Sequence, residues 1–134
     1  MSEHAFARRC VAAGALLMLL GVVLGAFGAH ALQQLLTPRR LASFQTGVHY
    51  QMLHAVGLVL VGLVARTMGE GNALRWSARL MLAGVLFFSG SIYLMTAGAP
   101  RWLGAVTPVG GVSFMVAWAL LARHALAAQR SGST

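Results

Sequence analysis

A chain of 134 residues that is 58% hydrophobic, only 9% charged and of mean hydropathy +0.75 carries more apolar surface than a soluble domain of this size can hide. Its formal charge of +8 would point a soluble protein toward nucleic acid. Here the basic residues are all arginines that flank apolar runs, as lipid headgroups and the positive-inside rule require, so a bilayer is the expected partner and nucleic acid is not.

Four runs reach the roughly 20 apolar residues that a span needs, at 10–29, 47–65, 80–98 and 104–124. The expectation is an all-α membrane protein, one integral domain over 1–134. Arg8-Arg9 before the first run, with Ala29-His30-Ala31 after it, has the outline of a secretory leader. The run is longer than the usual h-region of about 7–15 residues and further spans follow, so an uncleaved first helix is expected. Within it Gly14, Gly21, Gly25 and Gly28 recur at steps of seven, four and three and share one helix side, where a second backbone can approach. Cys10 is the single cysteine, which excludes a disulfide framework and a thiolate metal site.

Thr37-Pro38 reads as a helix start, with a hydroxyl cap and a proline where its missing N–H costs nothing. Residues 38–46 are expected to form an interfacial helix start, since Leu41, Phe44 and Val48 share a face away from Arg39, Arg40 and Gln45. The second span ends at Arg66, a turn-rich Met68-Gly69-Glu70-Gly71-Asn72 follows, and Arg75, Trp76 and Arg79 form an interfacial belt before the third. That span carries Ser89-Gly90-Ser91, small hydroxyls suited to bonding neighbouring helices. Thr107-Pro108 then repeats the capped start, and Gly110-Gly111 carries small-residue packing into the last span.

Sorting arginines by loop puts Arg8, Arg9, Arg66, Arg75, Arg79, Arg123 and Arg130 on one face and Arg39, Arg40 and Arg101 on the other. Both termini are therefore expected in the cytoplasm. An offset of 70 residues pairs Arg9 with Arg79, Gly14 with Gly84, Gly28 with Gly98, Thr37-Pro38 with Thr107-Pro108, Ser43-Phe44 with Ser113-Phe114 and His54-Ala55 with His124-Ala125. The repeat predicts two tandem hairpins related by a pseudo-two-fold axis along the membrane normal.

Gly25-Ala26-Phe27-Gly28-Ala29-His30-Ala31-Leu32, Phe44-Gln45-Thr46-Gly47-Val48-His49-Tyr50-Gln51-Met52-Leu53-His54-Ala55, Phe88-Ser89-Gly90-Ser91-Ile92-Tyr93-Leu94 and Thr107-Pro108-Val109-Gly110-Gly111 resemble, in order, the blocks of the YgdD-type family of small inner-membrane proteins, a domain-of-unknown-function family. The resemblance implies a four-span protein of the bacterial inner membrane and supplies no catalytic residues.

Polar residues that break the repeat ask for another reason. His30, His49, Tyr50 and Gln51 face Pro100, Ala119, Leu120 and Leu121 at the offset positions. His30, His49, Tyr50 and His54 are the candidate ligand-binding residues, since imidazole inside a membrane is a functional hypothesis by default. Tyr50 and His54 share a helix face, whereas His49 and His54 point about 140° apart. Without a helical carboxylate or a second ligand motif, no metal, haem or other cofactor is expected. With Glu3 and Glu70 outside the spans, neither a proton-coupled pump nor a Ser-His-Asp hydrolase can be assembled there, and no catalytic residue is assigned. Two functions stay open. One is an accessory, assembly or oligomerising protein working by helix contact through Gly21, Gly25, Gly28, Gly90, Gly110 and Gly111. The other is binding or transport of a small apolar ligand such as a quinone, lipid or haem at the His/Tyr cluster.

Overall fold

The computed structural model describes residues 4–131, with side chains placed to residue 128. Glu3 and the Arg130 side chain, both counted in the charge balance, lie outside the described residues. Four helices are long and apolar enough to cross a membrane: α1, Ala5–His30; α2, Pro38–Met68; α3, Asn72–Thr96; and α4, Thr107–Ser131, which follows a short 3₁₀ turn at Arg101–Ala105. The helices run past the expected spans at most ends because flanking polar residues prolong them into the headgroup zone. At 1.5 Å per residue, the 31 residues of α2 reach about 46 Å, well beyond a hydrocarbon core of roughly 30 Å. The interfacial start at 38–46 is therefore the first turns of α2 itself.

Capping follows the side-chain chemistry closely at one Thr-Pro and not at the other. Thr37 Oγ1 accepts from the Arg40 backbone N–H at 3.4 Å with Pro38 in the first turn. Thr107 Oγ1 instead meets Ser91 Oγ at 2.7 Å, so its hydroxyl ties α4 to α3. The start of α2 and the end of α3 are clipped together by Arg40, whose guanidinium donates to the carbonyls of Met95 (3.3 Å) and Thr96 (3.2 Å) at the negative end of the α3 dipole. At the opposite end His124 Nε2 lies 3.0 Å from the Gly69 carbonyl oxygen, in the turn where Gly69 takes φ +83.

Consecutive helices pair antiparallel, and glycines set how closely. Burial of apolar side chains drives little association inside lipid, so contact distance matters more. A Cβ on Gly14 would lie 2.5 Å from the Ala55 carbonyl oxygen, and one on Gly62 would lie 2.8 Å from that of Ala7, so α1 and α2 approach backbone to backbone from both sides. Gly21 and Gly28 admit Met52 and Phe44 further along the same seam. In the second pair Gly84 faces the Phe114 ring, and Gly110 lies against the Phe88 backbone amide. The offset counterparts Gly14 and Gly84 thus meet different partners, and the two pairs do not share one register. α2 is the central helix, touching α1, α3 and α4. On one side of the midplane the core is Ala7, Cys10, Leu58, Val61, Ala65, Leu74, Ala78, Met81 and Ala117; on the other it is Leu32, Phe44 and Val48.

Not every glycine singled out by spacing is used this way. Gly25 would place a Cβ 3.5 Å from Val48, an ordinary contact, while Gly90 and Gly111 have nothing nearer than 3.9 and 4.0 Å. The tight contacts belong to Gly14, Gly21, Gly28, Gly47, Gly57, Gly62, Gly84 and Gly110 within the helices, and to Gly71, against the His124 ring, in the α2–α3 turn. Spacing within one helix cannot reveal which side its neighbour occupies.

Gly14→Val is expected to cost about 1–3 kcal/mol by overpacking the α1–α2 seam, whereas Gly90→Ala should stay within about 1 kcal/mol of the parent. Unfolding in mixed micelles by denaturing detergent measures both. Equal losses would mean that backbone approach does not set the packing.

Candidate functional site

Gln51 is 1% exposed in the middle reach of α2 and bridges three helices. Its Nε2 donates to the Leu17 carbonyl of α1 at 2.9 Å, and its Oε1 accepts from the Tyr93 hydroxyl of α3 at 2.7 Å. The amide orientation follows from its partners, because a carbonyl can only accept. Ser89 Oγ donates to the Gly47 carbonyl at 2.6 Å, one turn away. Two glycines make room for this: Gly21, whose added Cβ would fall 2.7 Å from Met52 and 3.6 Å from Gln51 Nε2, and Gly47, where it would fall 3.2 Å from Ile92 and Tyr93.

The middle of α3 widens into a π turn at Val85–Ser89. One extra residue re-phases the rest of the helix by about 100°, so that the hydroxyls of Ser89 and Tyr93 are directed at α2 while Ser91 serves α4. Phe88 lies inside that turn and stacks on Tyr50 with ring centroids 4.4 Å apart. Ser77 Oγ adds a further bond to α4 at the Ala117 carbonyl, 2.7 Å away.

A stack of rings continues from Tyr50 between α2, α3 and α4. His54, 2% exposed, lies against Phe114 with centroids 3.4 Å apart and planes 10° from parallel. Tyr50 is 6.0 Å from His54 and 6.1 Å from Phe114, at 17° and 26°. Trp118, one turn further along α4, stands tilted beside His54 at 6.1 Å. The spacing of Tyr50 and His54 one turn apart on α2, and of Phe114 and Trp118 one turn apart on α4, interleaves the two helices.

His54 Nδ1–H donates to the Tyr50 carbonyl oxygen at 2.7 Å. Among the described residues its Nε2 has no hydrogen-bond partner, yet no fully enclosed side-chain nitrogen or oxygen is left unpaired there. The sliver of His54 that reaches the molecular surface therefore includes Nε2.

Of the four expected ligand-binding residues, the structure brings together His49, Tyr50 and His54 and leaves His30 apart. His49 is exposed and meets Tyr50 edge-on at 6.3 Å. His30 is exposed at the end of α1, beyond Gly28, which packs on Phe44 rather than on the turn that carries His49. Among the described residues no three of His, Cys, Asp and Glu gather as a metal site. Gln51 stood out in the sequence as a polar residue that breaks the repeat, but Tyr93, Phe88, Phe114 and Trp118 gave no such signal, since aromatic residues in a span are ordinary packing.

The family described as "Protein of unknown function (DUF423)" matches residues 24–111, which include His30, His49, Tyr50, Gln51, His54, Phe88 and Tyr93. The UPF0382 membrane protein YwdK of Bacillus subtilis (strain 168) is 41% identical over 108 residues, 81% of this chain and 88% of its own. The UPF0382 inner membrane protein YgdD of Escherichia coli (strain K12) is 39% identical over 112 residues, 83% of this chain and 84% of its own. No solved structure matches the chain.

Removing either end of the Gln51 bridge leaves a polar atom stranded in hydrocarbon. Gln51→Leu and Tyr93→Phe should each lower stability by about 0.6–2 kcal/mol, and a double-mutant cycle should return a coupling of about 0.6 kcal/mol or more. Strictly additive losses would mean that the two side chains do not act as a pair.

Proposed function

Because the chain belongs to the DUF423 family of UPF0382 membrane proteins and has four helices able to cross a bilayer, we propose that it is a bacterial inner-membrane protein that binds a small uncharged ligand drawn from the lipid phase, at the ring stack between α2 and α4. The observation that carries this reading is His54: a buried imidazole held by one nitrogen, with the other unpartnered at the surface inside an apolar span. An unpaired polar atom in hydrocarbon is costly and finds a partner when one is available. Tyr50, at the exposed end of the stack, gives a ligand access from the lipid.

The polarity of the site excludes charged ligands. The arginines lie at the helix ends, and Glu70, paired with Arg75 at 2.6 Å, lies in the α2–α3 turn. No reaction is assigned, since binding needs no carboxylate and catalysis of the usual hydrolytic or proton-coupled kinds does. The arginine balance supports an orientation with both termini in the cytoplasm.

Helix contact as an accessory, assembly or oligomerising protein is the second reading, favoured by one observation: Gly25 is only half-buried and meets its own bundle in a single ordinary contact, an added Cβ lying 3.5 Å from Val48. The tight glycines are already engaged inside the bundle, so they serve the fold under either reading.

Native mass spectrometry of the protein released from its own membrane tests the first reading. The expected spectrum carries extra non-protein mass that is lost in His54→Ala and Tyr50→Ala and kept in His30→Ala. A bare wild-type protein, or mass unchanged in both site variants, would overturn it; a bare oligomer sensitive to Gly25→Leu would install the second. A fluorescent protein fused at the C-terminus should fold and fluoresce in the cytoplasm, and a dark fusion with an active periplasmic phosphatase reporter would reverse the orientation.

A further inference from the structure

The bonding of His54 narrows the ligand further, an inference that rests on the binding reading above. The Tyr50 carbonyl oxygen can only accept, so at 2.7 Å the proton must sit on His54 Nδ1. No carboxylate among the described residues lies within the spans to stabilise an imidazolium, so the ring is neutral and Nε2 is a bare lone pair. The group that meets it has to be a hydrogen-bond donor. Ester, ether and ketone oxygens, which make up most of the polar atoms of membrane lipids, are acceptors and do not match. Phosphate headgroups fail on charge and on depth, since His54 sits near the midpoint of α2, far from the arginines at both ends.

The shape of the site selects among donors. Tyr50, His54, Phe88 and Phe114 lie at 10° to 29° to one another wherever they stack, with His54 and Phe114 buried face to face and Tyr50 and Phe88 reaching the surface. Tyr50 closes the stack at the membrane side with 37% of its surface exposed, and its hydroxyl has no hydrogen-bond partner within the described chain. A flat ring extends such a stack with offset or edge contacts, whereas a flexible chain alcohol has no face to offer.

We infer that the ligand is an uncharged planar ring bearing a hydroxyl, of the hydroquinone or phenol class, which donates to His54 Nε2 and lies against Tyr50. The reduced ring donates; the oxidised quinone, with carbonyl oxygens only, does not. The site therefore discriminates between two redox forms of one molecule, which differ by two electrons and two protons, through a single hydrogen bond.

The test uses the full chain in nanodiscs of zwitterionic lipid, kept anaerobic, with Trp76→Phe and Trp102→Phe so that Trp118 alone reports. The probes are a short-chain hydroquinone, its quinone and its dimethyl ether. The hydroquinone should bind about five- to tenfold more tightly than either of the others, the equivalent of one hydrogen bond to an otherwise unpaired group. His54→Phe keeps a ring in the stack and removes the acceptor, so it should retain the fold and equalise the three affinities; its melting temperature reports the fold separately. Equal binding of all three by the parent, or a preference that survives in His54→Phe, overturns the hydroxyl assignment. A long-chain alcohol that outcompetes the hydroquinone overturns the ring. Extra mass in the native spectrum with no binding of any ring probe rejects this ligand class and leaves the binding site standing, while bare protein and no probe binding reject both.

Discussion

Hydrocarbon offers a buried amide nothing to bond, and Gln51 answers that constraint by committing both ends of its side chain to other helices. In water such a bridge would compete with solvent; inside a bilayer the alternative is an orphaned donor and an orphaned acceptor. The rest of the architecture is arranged around making that bridge possible. Leu17 can present its carbonyl to Gln51 because Gly21, the next residue on that face, has no side chain in the way. Tyr93 can reach from α3 because Gly47 lets the helices close and because the π turn phases Ser89 and Tyr93 toward α2. One amide thus fixes the relative height of α1, α2 and α3, and apolar packing above and below it needs only to be compatible.

Fold class was legible from composition and hydropathy, because a span is defined by length and by the absence of charge, both of which are local. Thr37-Pro38 marked the start of α2 for the same reason: a cap is a short-range bond. Pairwise relations were harder to read. Gly25 and Gly28 lie one turn apart on the same helix side, yet only Gly28 meets a ring closely, since the rotation of α1 against α2 is decided by Gly14 at Ala55 and Gly62 at Ala7. Ser91 and Thr107 were visible as small hydroxyls and not as partners across two helices.

The internal repeat illustrates the same limit. His54 and His124 match at an offset of 70, but one is stacked on Phe114 in the bundle interior and the other meets the Gly69 carbonyl in a turn. The π turn has no counterpart in α1, which is α-helical from Ala5 to His30. Similar residues at similar spacing therefore sit in different registers, and identity at an offset position does not carry a side chain's surroundings with it. The candidate site was half legible on this account. Tyr50 and His54 announced themselves as polar groups one turn apart, whereas the aromatic residues that make a wall of them come from α3 and α4.

What separates the site from the scaffold is how polar atoms are satisfied. Gln51, Ser77, Ser89 and Ser91, all buried, have partners within the chain, and each of those bonds joins two helices or secures one. His54 departs from that pattern with a nitrogen it does not use for the fold. A leucine at that position would cost the bundle no inter-helix hydrogen bond, because the His54 bond it has is to its own helix, one turn back. Packing alone thus gives no reason for an imidazole rather than a hydrocarbon side chain in the stack, and it leaves the second nitrogen, with its lone pair and its edge at the surface, as the chemical difference between the two.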